Sequence, residues 1–144
     1  MLIFALVGGQ EQIRRKVARQ FSHYIGANGL LFTMPLGMDD QARLALLQQK
    51  FNPAGAISRV LVLNNLVSLA EFDWVRSVGG YVVHVDGIMP SSVVPMQKQD
   101  FFVTVMKEGR GRFDCVEDCF AAIKLRYQQD ARRRNAKTAT TAQV

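Results

Sequence analysis

The chain has 144 residues, 49% of them hydrophobic, and a formal charge of +6. That length holds one domain around one sizeable core and leaves no room for a second catalytic domain. The longest apolar runs are far too short to span a bilayer and no charged leader precedes a cleavable apolar segment, so the expectation is a cytoplasmic protein with no membrane partner.

Seven apolar residues, Met1-Leu2-Ile3-Phe4-Ala5-Leu6-Val7, run into Gly8-Gly9. Such a run predicts a strand buried on both faces that turns sharply at its carboxyl end. Ile13, Val17 and Phe21 then recur at helical spacing, which predicts a helix to Tyr24. In doubly wound folds a strand, a glycine turn and a helix start form the junction that holds an anion, because free N–H groups at the helix start point into the turn. A working phosphate loop has Gly, four residues, then Gly-Lys-Ser or Gly-Lys-Thr. Counted from Gly8, those last three places hold Ile13, Arg14 and Arg15. Arginine keeps a phosphate contact, but Ile13 adds a β-branched side chain where the loop needs none, and Arg15 cannot be a magnesium ligand. Gly8, Gly9, Arg14 and Arg15 are therefore candidate remnants of a phosphate site, with a purely structural turn as the alternative.

Gly26-Ala27-Asn28-Gly29 stops the helix, and Leu30-Leu31-Phe32-Thr33-Met34-Pro35 predicts a short second strand ended by proline. Asp39 and Asp40 open a helix whose packing face is Ala42, Ala45, Leu46 and Leu47. Asn52-Pro53-Ala54-Gly55 is a turn, and Arg59-Val60-Leu61-Val62-Leu63-Asn64 reads as a central strand. Ser68 and Glu71 have capping-box spacing; Leu69, Phe72 and Val75 are expected to face the sheet, and Gly79-Gly80 ends that helix. Tyr81-Val82-Val83-His84-Val85 and Asp100-Phe101-Phe102-Val103-Thr104-Val105 complete the strands. Asp114 and Glu117 repeat the cap spacing before an amphipathic closing helix with Val116, Phe120, Ile123 and Tyr127 on one face. The expected fold is α/β: a compact three-layer domain over residues 1–129, with a mainly parallel five-stranded sheet and flanking helices.

Cys115 and Cys119 lie one helical turn apart and read as buried thiols rather than a disulfide or metal motif. His23 and His84 have no paired carboxylate or metal-ligand spacing, and no metal or cofactor is expected. Residues 130–144 carry Arg132, Arg133, Arg134 and Lys137 against Asp130, a net of +3, without apolar periodicity. They are expected to form a mobile basic tail that either solubilises the protein or makes nonspecific nucleic-acid contacts.

Residues 2–15, Phe32-Thr33-Met34-Pro35-Leu36-Gly37, Val62-Leu63-Asn64-Asn65-Leu66-Val67 with the helix to Gly80, and the last strand and helix follow one another in an order that resembles the bacteriophage-type deoxynucleoside monophosphate kinases. These are part of the P-loop nucleoside monophosphate kinase group. The element at residues 32–37 is similar to the family's Phe-Ala-x-Pro-Leu-Lys near the monophosphate site, with Gly37 replacing lysine. The resemblance implies a P-loop kinase-like fold, with Pro35, Asn65 and Glu71 on the substrate side. It also implies aspartate where Asn65 stands and arginine where Val67 stands, and a longer arginine-bearing lid than residues 89–99 provide.

Losing these groups together removes phosphate donors and metal ligands from several sides. The expected function is that of a catalytically inactive kinase-like protein, phage-encoded by resemblance, which acts in the host cytoplasm by protein binding. Its target would be a host enzyme, a defence factor or a second copy of itself. Phe32, Met34, Leu36, Met89 and Met96 are the candidate binding surface, since methionine and other apolar side chains adapt to a partner. Two alternatives stand beside it. One is a divergent deoxynucleoside monophosphate kinase using ATP, with Arg14 and Arg15 as clamps and Glu71, Asp39 or Asp40 as carboxylates. The other is a nucleic-acid-binding accessory protein using the cluster Arg14, Arg15, Lys16, Arg19 and the residues Arg132, Arg133 and Arg134.

Overall fold

In the computed structural model, described at residues 1–51, 59–87 and 94–142, β1 (Leu2–Val7) is buried along its whole length. Its side chains alternate, so Leu2, Phe4 and Leu6 enter one core while Ile3, Ala5 and Val7 enter another. This period of two creates the layers. On the first face α1 (Glu11–Ile25) and α4 (Val116–Ala142) bury Val17, Phe21, Phe120 and Ile123. On the second, α2 (Asp40–Lys50) and α3 (Leu69–Ser77) bury Leu47, Phe72 and Val75. Between them lie β2 (Gly29–Thr33), β3 (Val60–Asn64), β4 (Tyr81–Val85), β5 (Phe101–Thr104) and β6 (Asp114–Cys115), in the order β2-β3-β1-β4-β5-β6. Each pairing in this sheet is parallel. The domain is thus a three-layer α/β fold with helices on both faces of a parallel sheet.

Several local expectations are corrected. The described sheet has six strands, not five, because Asp114 and Cys115 pair with Val103 and Thr104. Asp114 therefore belongs to the sheet instead of capping the helix, which begins at Val116. In α2 the buried residues are Arg43 and Leu47, while Ala45 is exposed and Ala42 and Leu46 are half-buried. A buried arginine defeats an apolar periodicity template. Leu69 is exposed in the first turn of α3, whereas Phe72 and Val75 do face the sheet. Ser68 and Glu71 form the reciprocal capping box expected of them, and Asp39 caps α2 by accepting from the Ala42 N–H at 2.7 Å. Of the two thiols only Cys119 is fully buried; burial, with smaller contributions from Asp114 and Cys115, pushes it up to about 12. The turn expected at residues 52–55 lies outside the described residues.

The boundary expected at 129/130 falls inside α4, which continues to Ala142. The Tyr81 hydroxyl donates to Asp130 Oδ2 at 2.6 Å, and Arg134 Nη1 lies 2.7 Å from where a Cβ on Gly79 would stand. Residues 130–134 thus rest on the body through polar groups, which hydrophobic periodicity does not register. No helix among the described residues is long and apolar enough to cross a membrane.

Candidate functional site

The chain leaves β1 for α1 on the first face and leaves the neighbouring β3 for α3 on the second. Where adjacent parallel strands send their connections to opposite faces, a crevice opens at their carboxyl ends, and ligands of open α/β sheets bind there. Gly8 and Gly9 line that crevice with φ of 84° and 65°, backbone that a side chain would strain. A Cβ on Gly87 would stand 2.6 Å from the Gly9 Cα, so the turns after β1 and β4 touch.

Arg14, one turn into α1, folds back over this turn. Its Nη1 donates to the carbonyl oxygens of Gly8 at 3.1 Å and Gly9 at 2.8 Å, and its Nη2 to Asn65 Oδ1 at 3.3 Å. Burial pulls the guanidinium pKa down, with Glu11 opposing, yet an arginine stays charged at neutral pH. The two glycine carbonyls of the turn therefore face a cation of their own chain, while the start of α1 has no side-chain cap from Gln10. Ile13 packs against the first core instead of filling the turn. Arg15 does not join the site; it pairs with Glu11 at 2.8 Å on the exposed face of α1.

Asn65 sits across the crevice with φ 64°, a left-handed conformation that asparagine tolerates better than most residues. Its N–H donates to Asn64 Oδ1 at 2.9 Å, and its own carbonyl accepts from Arg43 Nη2. Arg43 is the residue that periodicity misses. It reaches inward from α2 to join three segments, donating also to the Pro35 carbonyl and to Glu71 Oε1, the last at 2.9 Å. Glu71 Oε2 accepts from the N–H groups of Val67 and Ser68 and from the Ser68 hydroxyl. Burial alone would push the Glu71 carboxyl up; the hydrogen bonds from Ser68 and Val67 and the charge of Arg43 together hold it below the ordinary value. Pro35, Asn65 and Glu71 are thus brought together in one hydrogen-bonded network through Arg43, and within it both oxygens of the Glu71 carboxylate are taken.

On the far side of β1, His84 Nε2 lies 2.8 Å from Asp100 Oδ2, which corrects the expectation that it has no carboxylate partner. Its ring stacks on Phe102, and Asp100 also accepts from Arg76 Nη2 at 3.1 and 2.9 Å. A cleft of about 380 Å³ opens between Gln10, Ile13, Asp86, Gly87, Thr104 and Arg110. Asp86 is the acid at its wall and stands 3.7 Å from Arg110. Among the described residues no group of three His, Cys, Asp or Glu side chains is arranged to hold a metal ion.

The expected binding surface divides. Met34 is core, 1% exposed, and Phe32 is half-buried between Phe51 and Lys50, whereas Leu36 and Met96 are exposed and Met89 lies outside the described residues. Leu30, Leu31, Met38 and Val67, which are not in the expected binding set, are exposed. Arg132, Arg133 and Arg134 are exposed on α4 and distant in sequence and fold from the crevice. Comparisons with protein families, with curated proteins and with solved structures each find no match.

Proposed function

We infer that this is a kinase-like phage protein that has lost phosphoryl transfer and acts by binding another protein molecule. The observation that carries the reading is the Arg14 guanidinium, which folds back onto the Gly8 and Gly9 carbonyls of its own turn instead of reaching outward to a phosphate. Lysine and hydroxyl are missing from the same turn, and Glu71, the remaining substrate-side acid, is spent on Arg43 and on the start of α3. The two arginines of the turn are committed elsewhere, Arg14 to carbonyl oxygens and Arg15 to Glu11, and not to charge developing on a transferred phosphoryl group.

The experiment is a coupled assay with ATP, magnesium and the common deoxynucleoside monophosphates, run beside calorimetric titration with ATP. Background turnover and no measurable ATP heat are expected. Formation of nucleoside diphosphate that is abolished by Arg14→Ala overturns the reading.

A further inference from the structure

β2 is one of the two outer strands of the sheet, and among the described residues nothing pairs with its far side. The Met34 N–H donates to the Asn64 carbonyl at 3.0 Å, so the even-numbered residues of this segment direct their backbone groups at β3. Alternation along a strand then turns the N–H and C=O of Leu31 and Thr33 outward. The Gly29 N–H is taken by the Gly26 carbonyl, which leaves Gly29 an outward acceptor. Edges of natural sheets are blunted by charge, proline or a bulge; Gly29-Leu30-Leu31-Phe32-Thr33 has none, and Leu30 and Leu31 are 40% and 37% exposed. Register with β3 puts Leu30 and Phe32 on the α2 and α3 face, opposite Leu61 and Leu63, and Leu31 on the α1 and α4 face, opposite Val62.

We propose that this edge pairs antiparallel with the same edge of a second copy about a two-fold axis at Leu31, joining both sheets into one. The proposal deepens the protein-binding reading by naming its surface and its partner. A two-fold contact must be self-complementary, and this one is. Leu31 meets Leu31 of the second copy and exchanges both N–H···O=C bonds with it. The Thr33 N–H finds the Gly29 carbonyl of the second copy. Leu30 packs on Phe32 of the second copy, and the reverse contact follows by symmetry. The flanking charges agree as well. Exposed Asp39 and Asp40 lie beyond the carboxyl end of β2, and exposed Arg59 lies at its amino end, beside the Gly29–Val60 pair. Antiparallel pairing brings each acidic end to the other's basic end.

The test is light scattering on the full chain through the micromolar range, with circular dichroism on each variant. Wild type is expected at twice the chain mass, and folded Leu31→Lys at the monomer mass. Two cysteine variants in a Cys115→Ser background decide the register even if Leu31→Lys does not fold. Directly paired hydrogen-bonded residues have Cα atoms about 5.5 Å apart, within disulfide reach, so Leu31→Cys should cross-link on mild oxidation. Thr33 and its copy stand four residues apart along the strands, roughly 13 Å, so Thr33→Cys should not. A monomeric wild type, or a dimer that survives Leu31→Lys and cross-links equally at both positions, overturns the proposal. The kinase assay separates it from the wider reading: turnover overturns that reading and leaves the edge untouched, while an inactive monomer overturns the edge alone.

Discussion

Arg43 Nε meets Glu71 Oε1 at 2.9 Å with both side chains withdrawn from solvent, 2% and 0% exposed, and this pair joins α2 to α3 beneath the crevice. Removing one partner of a buried pair strands the other charge in a poorly solvated place. Arg43→Met is therefore expected to lower unfolding free energy by about 3–5 kcal/mol, measured by urea denaturation. Combined with Glu71→Gln, it should cost less than the two single changes summed. Additive losses would mean that the pair is not coupled.

Glu71 also predicts an acid response. Its folded pKa lies below the ordinary value of 4.5 because hydrogen bonds from Ser68 and Val67, with Arg43, outweigh the upward push of burial. The unfolded chain then binds this proton more readily, so the stabilisation is present above pH 4.5 and drains away as pH falls toward and through the folded pKa. Stability measured from pH 6 downward should fall less steeply in Glu71→Gln than in wild type. Equal slopes would contradict the assignment.

Arg14 and Arg15 are neighbours in sequence with different surroundings. Arg14→Ala leaves the Gly8 and Gly9 carbonyls and Asn65 Oδ1 without their donor and is expected to cost about 1–3 kcal/mol. Arg15→Ala removes only an exposed pair with Glu11 and should change stability by less than about 1 kcal/mol. Thermal denaturation of both variants distinguishes them; equal losses would refute the back-folded role of Arg14.

The Tyr81 hydroxyl ties the sheet to α4 at Asp130. Burial first, then the hydrogen bond and charge of Asp130, raise its pKa above the ordinary value of 10.0. Stability from this group is complete below pH 10.0 and is lost as pH rises beyond it, because the unfolded tyrosine ionises first. Tyr81→Phe should cost about 1 kcal/mol at neutral pH and flatten the alkaline loss. Removing residues 130–144 should likewise lower the thermal transition. A truncated chain as stable as wild type would show that the Asp130 contact contributes nothing.

Asp100 holds three groups, the Arg76 guanidinium, the His84 ring and the Gln97 N–H, in a place where its own side chain is 1% exposed. Among the described residues Arg76 Nε and Nη1 have no hydrogen-bond partner, and Asp100 is the carboxylate that compensates the arginine. Asp100→Asn is expected to destabilise by about 3 kcal/mol or more in chemical denaturation. A loss under about 0.5 kcal/mol would place the cluster with ordinary surface pairs.

The amino-acid sequence by itself determined the layers. Continuous apolar runs at β1 and β3, helical spacing at Ile13, Val17 and Phe21, and the Ser68–Glu71 cap are local patterns, each legible within one element because its period is set by backbone geometry. Only the tertiary structure decided what the polar residues do. Arg14 meets Asn65 across 51 positions, Arg43 meets Glu71 across 28, and Tyr81 meets Asp130 across 49. A guanidinium that folds back onto carbonyl oxygens and one that waits for a phosphate are the same letter in sequence, and the difference lies in which distant strand end stands opposite. The edge at β2 was hidden for the same reason: whether Leu30 and Leu31 are core or rim depends on their strand's place in the sheet, which pairing between distant segments sets.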